Sequence, residues 1–178
     1  MVDSSSAVGA SGFLKIKEFI KTITPYFNAG QAQHAFVDFT DTAKTSIPLS
    51  RRNDVTLSRD FSTALDEIKF RGGDAISRIS EGLGRANIEL RNADVSSSKY
   101  VVLITSSDPR DDEMSTLLFV KDEIQANGAK LLVVGVGDAV DENTLKQIST
   151  DGQIYRPENF DDLVGSVQSL RETVCKKA

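Results

Sequence analysis

Residues 100–113 read YVVLITSSDPRDDE, and this stretch decides how the rest of the chain is interpreted. Residues 100–104 are apolar except for the tyrosine hydroxyl, which predicts a strand buried on both faces at the centre of a parallel sheet. The loop that follows carries four carboxylates, on Asp108, Asp111, Asp112 and Glu113. Ligands bind at the carboxyl ends of strands in open α/β sheets, so this loop is the first candidate site.

Size and composition favour one soluble globular domain. The chain has 178 residues, of which 39% are hydrophobic and 26% charged, and its formal net charge is -5. We expect a single domain over residues 1–174, followed by a tail over 175–178. The net negative charge without a basic run argues against a nucleic-acid partner. No run reaches the ~20 apolar residues that span a bilayer, so membrane insertion is not expected.

Hydrophobic spacing alternates between helical and strand periods along the chain. Helices are predicted over 13–27, 57–68, 75–90, 114–124, 141–149 and 160–174, with Asp111 or Asp112 as the N-cap of the fourth. Strands are predicted over 35–39, 45–49, 100–104, 131–136 and 153–155, and residues 1–9 are interpreted as a loop. Long helices between strands indicate an α/β fold with a doubly wound, mostly parallel sheet, helices on both faces and one antiparallel edge strand.

Several short motifs then occur in the order of a known family. They are DSSSAVG at 3–9, KEFI at 17–20, FVDF at 36–39, RGG at 71–73, VVGVG at 133–137 and NF at 159–160. Over essentially its whole length the chain resembles a von Willebrand factor type A domain, which has a Rossmann-like fold. The sequence of the first helix and the cysteine after the last helix resemble those of the extracellular matrix and adhesion members of the family.

The resemblance implies a metal-ion-dependent adhesion site, in which hydroxyl and carboxylate oxygens from three loops hold Mg²⁺. Asp3 and Ser5 match that motif. Ala7, Ala75 and Ser106 replace a serine, a threonine and an aspartate, so the site is expected to be degenerate and to hold no metal. The alternative is a metal-dependent site with rearranged ligands, in which Asp74, Ser77 or Asp108 compensates.

The resemblance also implies a non-enzymatic, extracellular and secreted protein-binding domain, whose signal peptide is not in this chain. Its partner would be a matrix or adhesion protein, with collagen among the candidates. The expected partner-binding surface, called the rim below, consists of residues 3–9, 72–77 and 106–113 at the carboxyl ends of the strands. The partner-binding residues expected there are Asp3, Ser5, Asp74, Ser77, Ser106, Asp108, Asp111 and Asp112.

A small α/β enzyme or a nucleotide-binding domain is the alternative from another class. It lacks support in the sequence, because the single histidine, His34, leaves the serines without a general base, and residues 135–138 lack a third glycine. Cys175, the one cysteine, is expected to form a disulfide with a neighbouring segment or chain. The family's first strand is expected to be truncated upstream, with its place filled by further residues, a partner strand or a shifted register.

Overall fold

The protein is described by a computed structural model covering residues 1–27, 32–49, 57–73, 77–93, 96–168, 170 and 172, with the backbone alone at 57–59. The strands are β1 (Val2–Asp3), β2 (Phe36–Phe39), β3 (Ala43–Ile47), β4 (Lys99–Thr105), β5 (Ala129–Gly135) and β6 (Ile154–Tyr155). The helices are α1 (Gly9–Phe27), α2 (Leu57–Glu67), α3 (Ile79–Leu90), α4 (Met114–Ala126) and α5 (Glu142–Ile148). Two 3₁₀ segments cover Asp111–Glu113 and Phe160–Ser166.

The strands form one six-stranded sheet in the order β3-β2-β1-β4-β5-β6. Every neighbouring pair is parallel except β2 and β3, which pair antiparallel at one edge. This arrangement confirms the predicted doubly wound α/β fold with one antiparallel edge strand. The longest pairing joins β4 to β5 over seven residue pairs, from Lys99 with Ala129 to Thr105 with Gly135.

Alternating side chains of the strands supply two hydrophobic cores, one on each face of the sheet. Leu132 and Val134 of β5 pack with α1, α2 and the last 3₁₀ segment. Leu131 and Val133, whose side chains point the other way, pack with α3, α4 and α5. A strand covered on both faces has no solvated side, and this explains the continuous apolar runs in the sequence.

Strand β1 is short and lies at the centre of the sheet. Val2 pairs with Asp38 on one side and with Ile104 on the other. The Met1 ammonium also donates to the Val102 carbonyl at 2.7 Å, and the Ile104 N–H donates to the Met1 carbonyl at 3.1 Å. Residues 1–9 are therefore not all loop as predicted, because two of them complete the ladder between β2 and β4. An upstream extension of this strand stays a prediction.

Four predicted helix boundaries were wrong. Helix α1 begins at Gly9, before the first apolar residue of its pattern. Helix α4 begins at Met114 after a 3₁₀ turn, so neither Asp111 nor Asp112 is its N-cap. The last helical stretch starts as a 3₁₀ segment over Phe160–Ser166, capped by the Asn159 side chain. Helix α3 begins at Ile79 after an extended Arg78, so the prediction of a helix from residue 75 was also wrong. Cys175 lies outside the described residues, so the disulfide stays untested.

In the part of the chain that the structure describes, no helix combines the length and the apolar character needed to cross a membrane.

Candidate interaction site at the carboxyl ends of the strands

Asp3 is the centre of the site, and its carboxylate is fully buried. Its Oδ1 accepts the backbone N–H of Ser5 at 2.9 Å. Its Oδ2 accepts the Ser107 hydroxyl at 3.2 Å and lies 3.3 Å from the Thr105 hydroxyl, whose single proton can also be donated to the Ser107 carbonyl at 3.0 Å. A buried carboxylate needs such donors to offset the cost of leaving water, and here up to three come from the protein itself.

The parallel pairing of the sheet brings these groups together. Asp3 ends β1 and Thr105 ends β4, so both side chains emerge at the same edge. The Ser4 N–H donates to the Phe39 carbonyl at 2.8 Å, which joins the first rim loop to the end of β2. The Val136 N–H donates to the Thr105 carbonyl at 2.8 Å, which joins the second rim loop to the end of β5.

Three hydroxyls on the rim loops are buried without a protein hydrogen-bond partner. Four buried side-chain atoms of the described residues have no protein hydrogen-bond partner, and three of them are the hydroxyls of Ser5, Ser77 and Ser106. Ser5 and Ser77 are 0% and 4% exposed. The structure thus places Asp3, Ser5, Ser77 and Ser106 on adjoining loops, as predicted from the motif order. Asp3, Ser5 and Ser77 are buried in the structure, and their direct contact with a partner stays a prediction.

Arg71 connects the rim to the β2–β3 hairpin through hydrogen bonds. Its backbone N–H donates to Ser4 Oγ at 3.0 Å. Its guanidinium donates to the Thr42 carbonyl at 3.0 Å and to Asp38 Oδ2 at 3.4 Å. The arginine was noticed in the sequence only as part of the glycine-pair motif, because its partners lie on a strand 33 residues earlier.

Glu113 is 3% exposed, and its carboxylate connects the acidic loop to helix α3. Its Oε1 accepts the Arg110 N–H at 3.0 Å. Its Oε2 accepts the Ser80 N–H at 3.1 Å and the Ser80 hydroxyl at 2.6 Å, at the first turn of α3. A carboxylate is favourable at a helix N-terminus, where backbone N–H groups lack helical partners. From the sequence, Ser107 and Glu113 were included only as members of the 106–113 loop, without individual roles, and Thr105 was not identified as a site residue.

Exposed carboxylates surround this buried centre. Asp111 and Asp112 are exposed on the rim, and Arg110 pairs with Asp112 at 3.0 Å. Asp41 and Asp141 are exposed on the neighbouring loops. Hydrogen bonds from the Thr40 and Thr144 hydroxyls lower the pKa values of Asp41 and Asp141 respectively, so both are ionised at neutral pH. The solvent face of the site is therefore negative.

Comparison with known proteins decides the family. The von Willebrand factor type A domain matches residues 1–170. The chain belongs to the von Willebrand factor type A family. This A domain is 26% identical over 185 residues to the collagen alpha-1(XII) chain of Notophthalmus viridescens, and 27% identical over 181 residues to the collagen alpha-5(VI) chain of Homo sapiens. Each match covers 98% of this chain but only 19% and 6% of those relatives.

Solved structures show the same fold. Proximal thread matrix protein 1 from the mussel byssus superposes with a TM-score of 0.84 at 21% identity, covering 98% of this chain and 46% of that one. A von Willebrand factor type A protein from Catenulispora acidiphila gives 0.79 at 17% identity, covering 96% and 40%. These structural likenesses, at 21% identity or less, show that the fold is shared.

The described residues of this A domain do not fit the family's Mg²⁺. Such an ion takes about six hard oxygen ligands, usually with carboxylates among them. Here Asp3 already accepts up to three protein hydrogen bonds, and Ser106 offers a neutral hydroxyl in place of a carboxylate. Asp108, which was considered as a compensating ligand, accepts the Asp141 N–H at 2.7 Å. No group of three or more His, Cys, Asp or Glu side chains that could hold a metal occurs within the described ranges. Asp74 and Ala75 lie outside them.

Proposed function

We propose that this A domain is a non-enzymatic protein-binding domain of an extracellular matrix protein, that it is secreted, and that it engages its partner through the rim without a metal. The collagens and the byssus matrix protein support the matrix setting. Because the chain spans a fifth or less of the collagen relatives, their partners do not transfer automatically. A collagenous or other matrix protein is the partner that fits this setting.

The observation that carries the proposal is a closed polar centre beneath an open acidic surface. Asp3 is buried and hydrogen-bonded to protein donors, whereas Asp111 and Asp112 are exposed. A partner therefore meets the acidic loop first, and a basic surface on the partner would complement it. Such an interaction relies on electrostatic attraction for its association rate, so it should weaken as salt screens the charges.

An enzymatic function has little support. His34 lies just before β2, at the amino end of that strand, and its ring packs on Phe61 at 5.1 Å between centroids. The rim serines lie at the opposite ends of the strands. The histidine is thus placed where it cannot serve them as a general base.

Metal-dependent adhesion with rearranged ligands is the second candidate. The unpartnered hydroxyls of Ser5, Ser77 and Ser106 favour it, since hydroxyl oxygens are ligands of the family's site. A structure of the byssus protein is described with zinc in its MIDAS motif, the metal site of that protein. Among the described residues Asp3 is the one carboxylate at the centre of the site, and this argues against a divalent ion because little negative charge offsets the cost of removing its water.

Binding to immobilised matrix proteins tests the proposal. Fibrillar collagens and other matrix components are presented to the domain in EDTA and again in Mg²⁺, at low and at physiological salt. Binding is expected to be the same with and without the metal and to weaken with salt. Asp111→Asn with Asp112→Asn should slow association several-fold, because these side chains are exposed at the proposed contact.

The control removes the same charge elsewhere. Asp60→Asn with Asp122→Asn changes two exposed carboxylates on α2 and α4. It should leave association unchanged. If both double variants slowed association equally, the effect would be due to net charge, and the rim would no longer be supported as the binding surface. Binding that requires Mg²⁺ would replace the metal-free function with the second candidate.

A further inference from the structure

The three buried hydroxyls on the rim loops leave hydrogen-bonding capacity unused. Ser5 lies one turn from Asp3 and donates its own N–H to the carboxylate. Ser106 lies between Thr105 and Ser107, whose hydroxyls are both within hydrogen-bonding distance of Asp3 Oδ2. Ser77 precedes Arg78, whose N–H donates to the Thr40 carbonyl at 2.7 Å beside the end of β2. The unused atoms are therefore on three loops that adjoin at the carboxyl ends of β1, β2 and β4.

Burial without a partner costs free energy for each of these hydroxyls, so a group that satisfies several of them at once would be stabilising. The group must both accept and donate, because each hydroxyl has one proton and two lone pairs. It must also be small, since Ser5 is fully buried. A carboxylate accepts about four hydrogen bonds, and Asp3 has at most three protein donors, so at least one position remains for a further donor.

We infer that ordered water occupies the place where the family holds its metal ion, bridging the Ser5 and Ser77 hydroxyls to Asp3. Water meets each requirement: it is small, it is neutral, and it makes two to four hydrogen bonds in polar cavities. A neutral ligand also suits a centre whose single negative charge is already stabilised by protein donors. The inference rests on the metal-free part of the proposed function and does not depend on partner binding.

The inference is tested by whether serine-to-alanine substitutions raise or lower the thermal midpoint of unfolding in EDTA. If water bridges the hydroxyls, Ser5→Ala and Ser77→Ala each remove a hydrogen bond and lower the thermal midpoint by about 2–4 °C. If the hydroxyls are truly unpaired, removing them relieves a buried polar group, and the midpoint stays or rises. The second result overturns the inference. Ser107→Ala, which loses a direct bond to Asp3, is the positive control, and Ser98→Ala at an exposed position is the neutral one.

Two further measurements separate water from a cation. A high-resolution crystal structure grown in EDTA should show a water within hydrogen-bonding distance of the Ser5 and Ser77 hydroxyls, and an empty site there would overturn the inference. Adding Mg²⁺ should not raise the midpoint of the wild type. If Mg²⁺ raises the thermal midpoint of the wild type and Ser5→Ala abolishes that rise, a divalent ion occupies the site, which overturns both this inference and the metal-free function. If the serine variants are stabilising and Mg²⁺ has no effect, only this inference is overturned.

Discussion

Among single residues, Glu113 connects two separate elements near the rim. Its buried carboxylate accepts bonds from the Arg110 N–H, the Ser80 N–H and the Ser80 hydroxyl, and so joins the acidic loop to α3. Glu113→Ala should lower the free energy of unfolding by about 3 kcal/mol, because it leaves buried donors unpaired. Glu113→Gln keeps one acceptor oxygen and should cost less. Urea denaturation measures both.

Asp112 provides the matched comparison for Glu113. It lies in the same 3₁₀ turn, but its carboxylate is exposed and pairs with Arg110. Surface ion pairs contribute little, so Asp112→Ala should cost under about 1 kcal/mol. Similar losses from Glu113→Ala and Asp112→Ala would mean that the contacts to α3 do not stabilise the loop.

His34 makes the stability depend on pH. Burial lowers the pKa of His34 from its usual value of 6.5, so the unfolded chain binds the proton more readily than the folded one. The favourable contribution of neutral His34 is complete above that usual value and decreases as the pH falls below it. Relative to wild type, His34→Phe should therefore be more stable at pH 5 than at pH 7. The phenyl ring preserves the contact with Phe61.

The measurement for His34 is urea denaturation of both proteins across this pH range. Taking the difference between them cancels the titration of other groups. A difference in unfolding free energy that stays constant between pH 7 and pH 5 would show that His34 is protonated as easily in the folded chain as in the unfolded one.

At the scale of an element, α3 contains two glycines with opposite surroundings. A Cβ on Gly82 would lie 2.8 Å from Phe39 Cδ1 and 2.6 Å from Met1 Cε, whereas a Cβ on Gly84 would meet nothing within 4 Å. Gly82→Ala should destabilise the protein by about 1–3 kcal/mol, because the buried Phe39 ring holds its position. Gly84→Ala should stabilise it by about 0.5–1 kcal/mol through helix propensity.

Thermal or urea unfolding of the two variants checks this pair. The substitution is chemically the same and lies in the same helix, so propensity alone predicts equal gains. If Gly82→Ala were as stabilising as Gly84→Ala, the close packing of α3 on β2 would not be a constraint.

At the scale of the whole molecule, one sheet separates two cores. Ile16 of α1 belongs to the core on one face, and Leu117 of α4 belongs to the core on the other. Ile16→Ala and Leu117→Ala should each cost about 2–5 kcal/mol, because both side chains are fully buried. With the sheet between them, their effects should add within about 0.5 kcal/mol.

The double variant also tests cooperativity. Strands β1, β4 and β5 are hydrogen-bonded neighbours in the sheet that lies between the two cores. Unfolding should therefore remain a single transition by circular dichroism and by fluorescence. Two separate transitions, one for each face, would show that the sheet does not couple the cores.

The sequence by itself determined the architecture and the location of the site. The apolar runs at 100–104 and 131–136 predicted the buried strands β4 and β5, and helical spacing of apolar residues located the helices between them. Both patterns can be read from the sequence, because the faces of a strand or helix that are buried determine how its apolar residues are spaced. The motif at residues 3–9 also indicated the family and pointed to Asp3. These are local patterns, readable without knowing which elements become neighbours.

Only the tertiary structure decided how the site is closed. Thr105 and Ser107 reach Asp3 across 102 and 104 residues of sequence, and Glu113 reaches Ser80 across 33. Such contacts depend on strand order and on how the helices pack, neither of which is encoded in a local period. The start of α4 depended on them as well, because the Glu113 carboxylate bonds to Arg110 and Ser80 while Asp111 and Asp112 remain in the preceding 3₁₀ turn. The enclosure of Asp3 is therefore a property of the assembled sheet edge, where several loops supply its donors together.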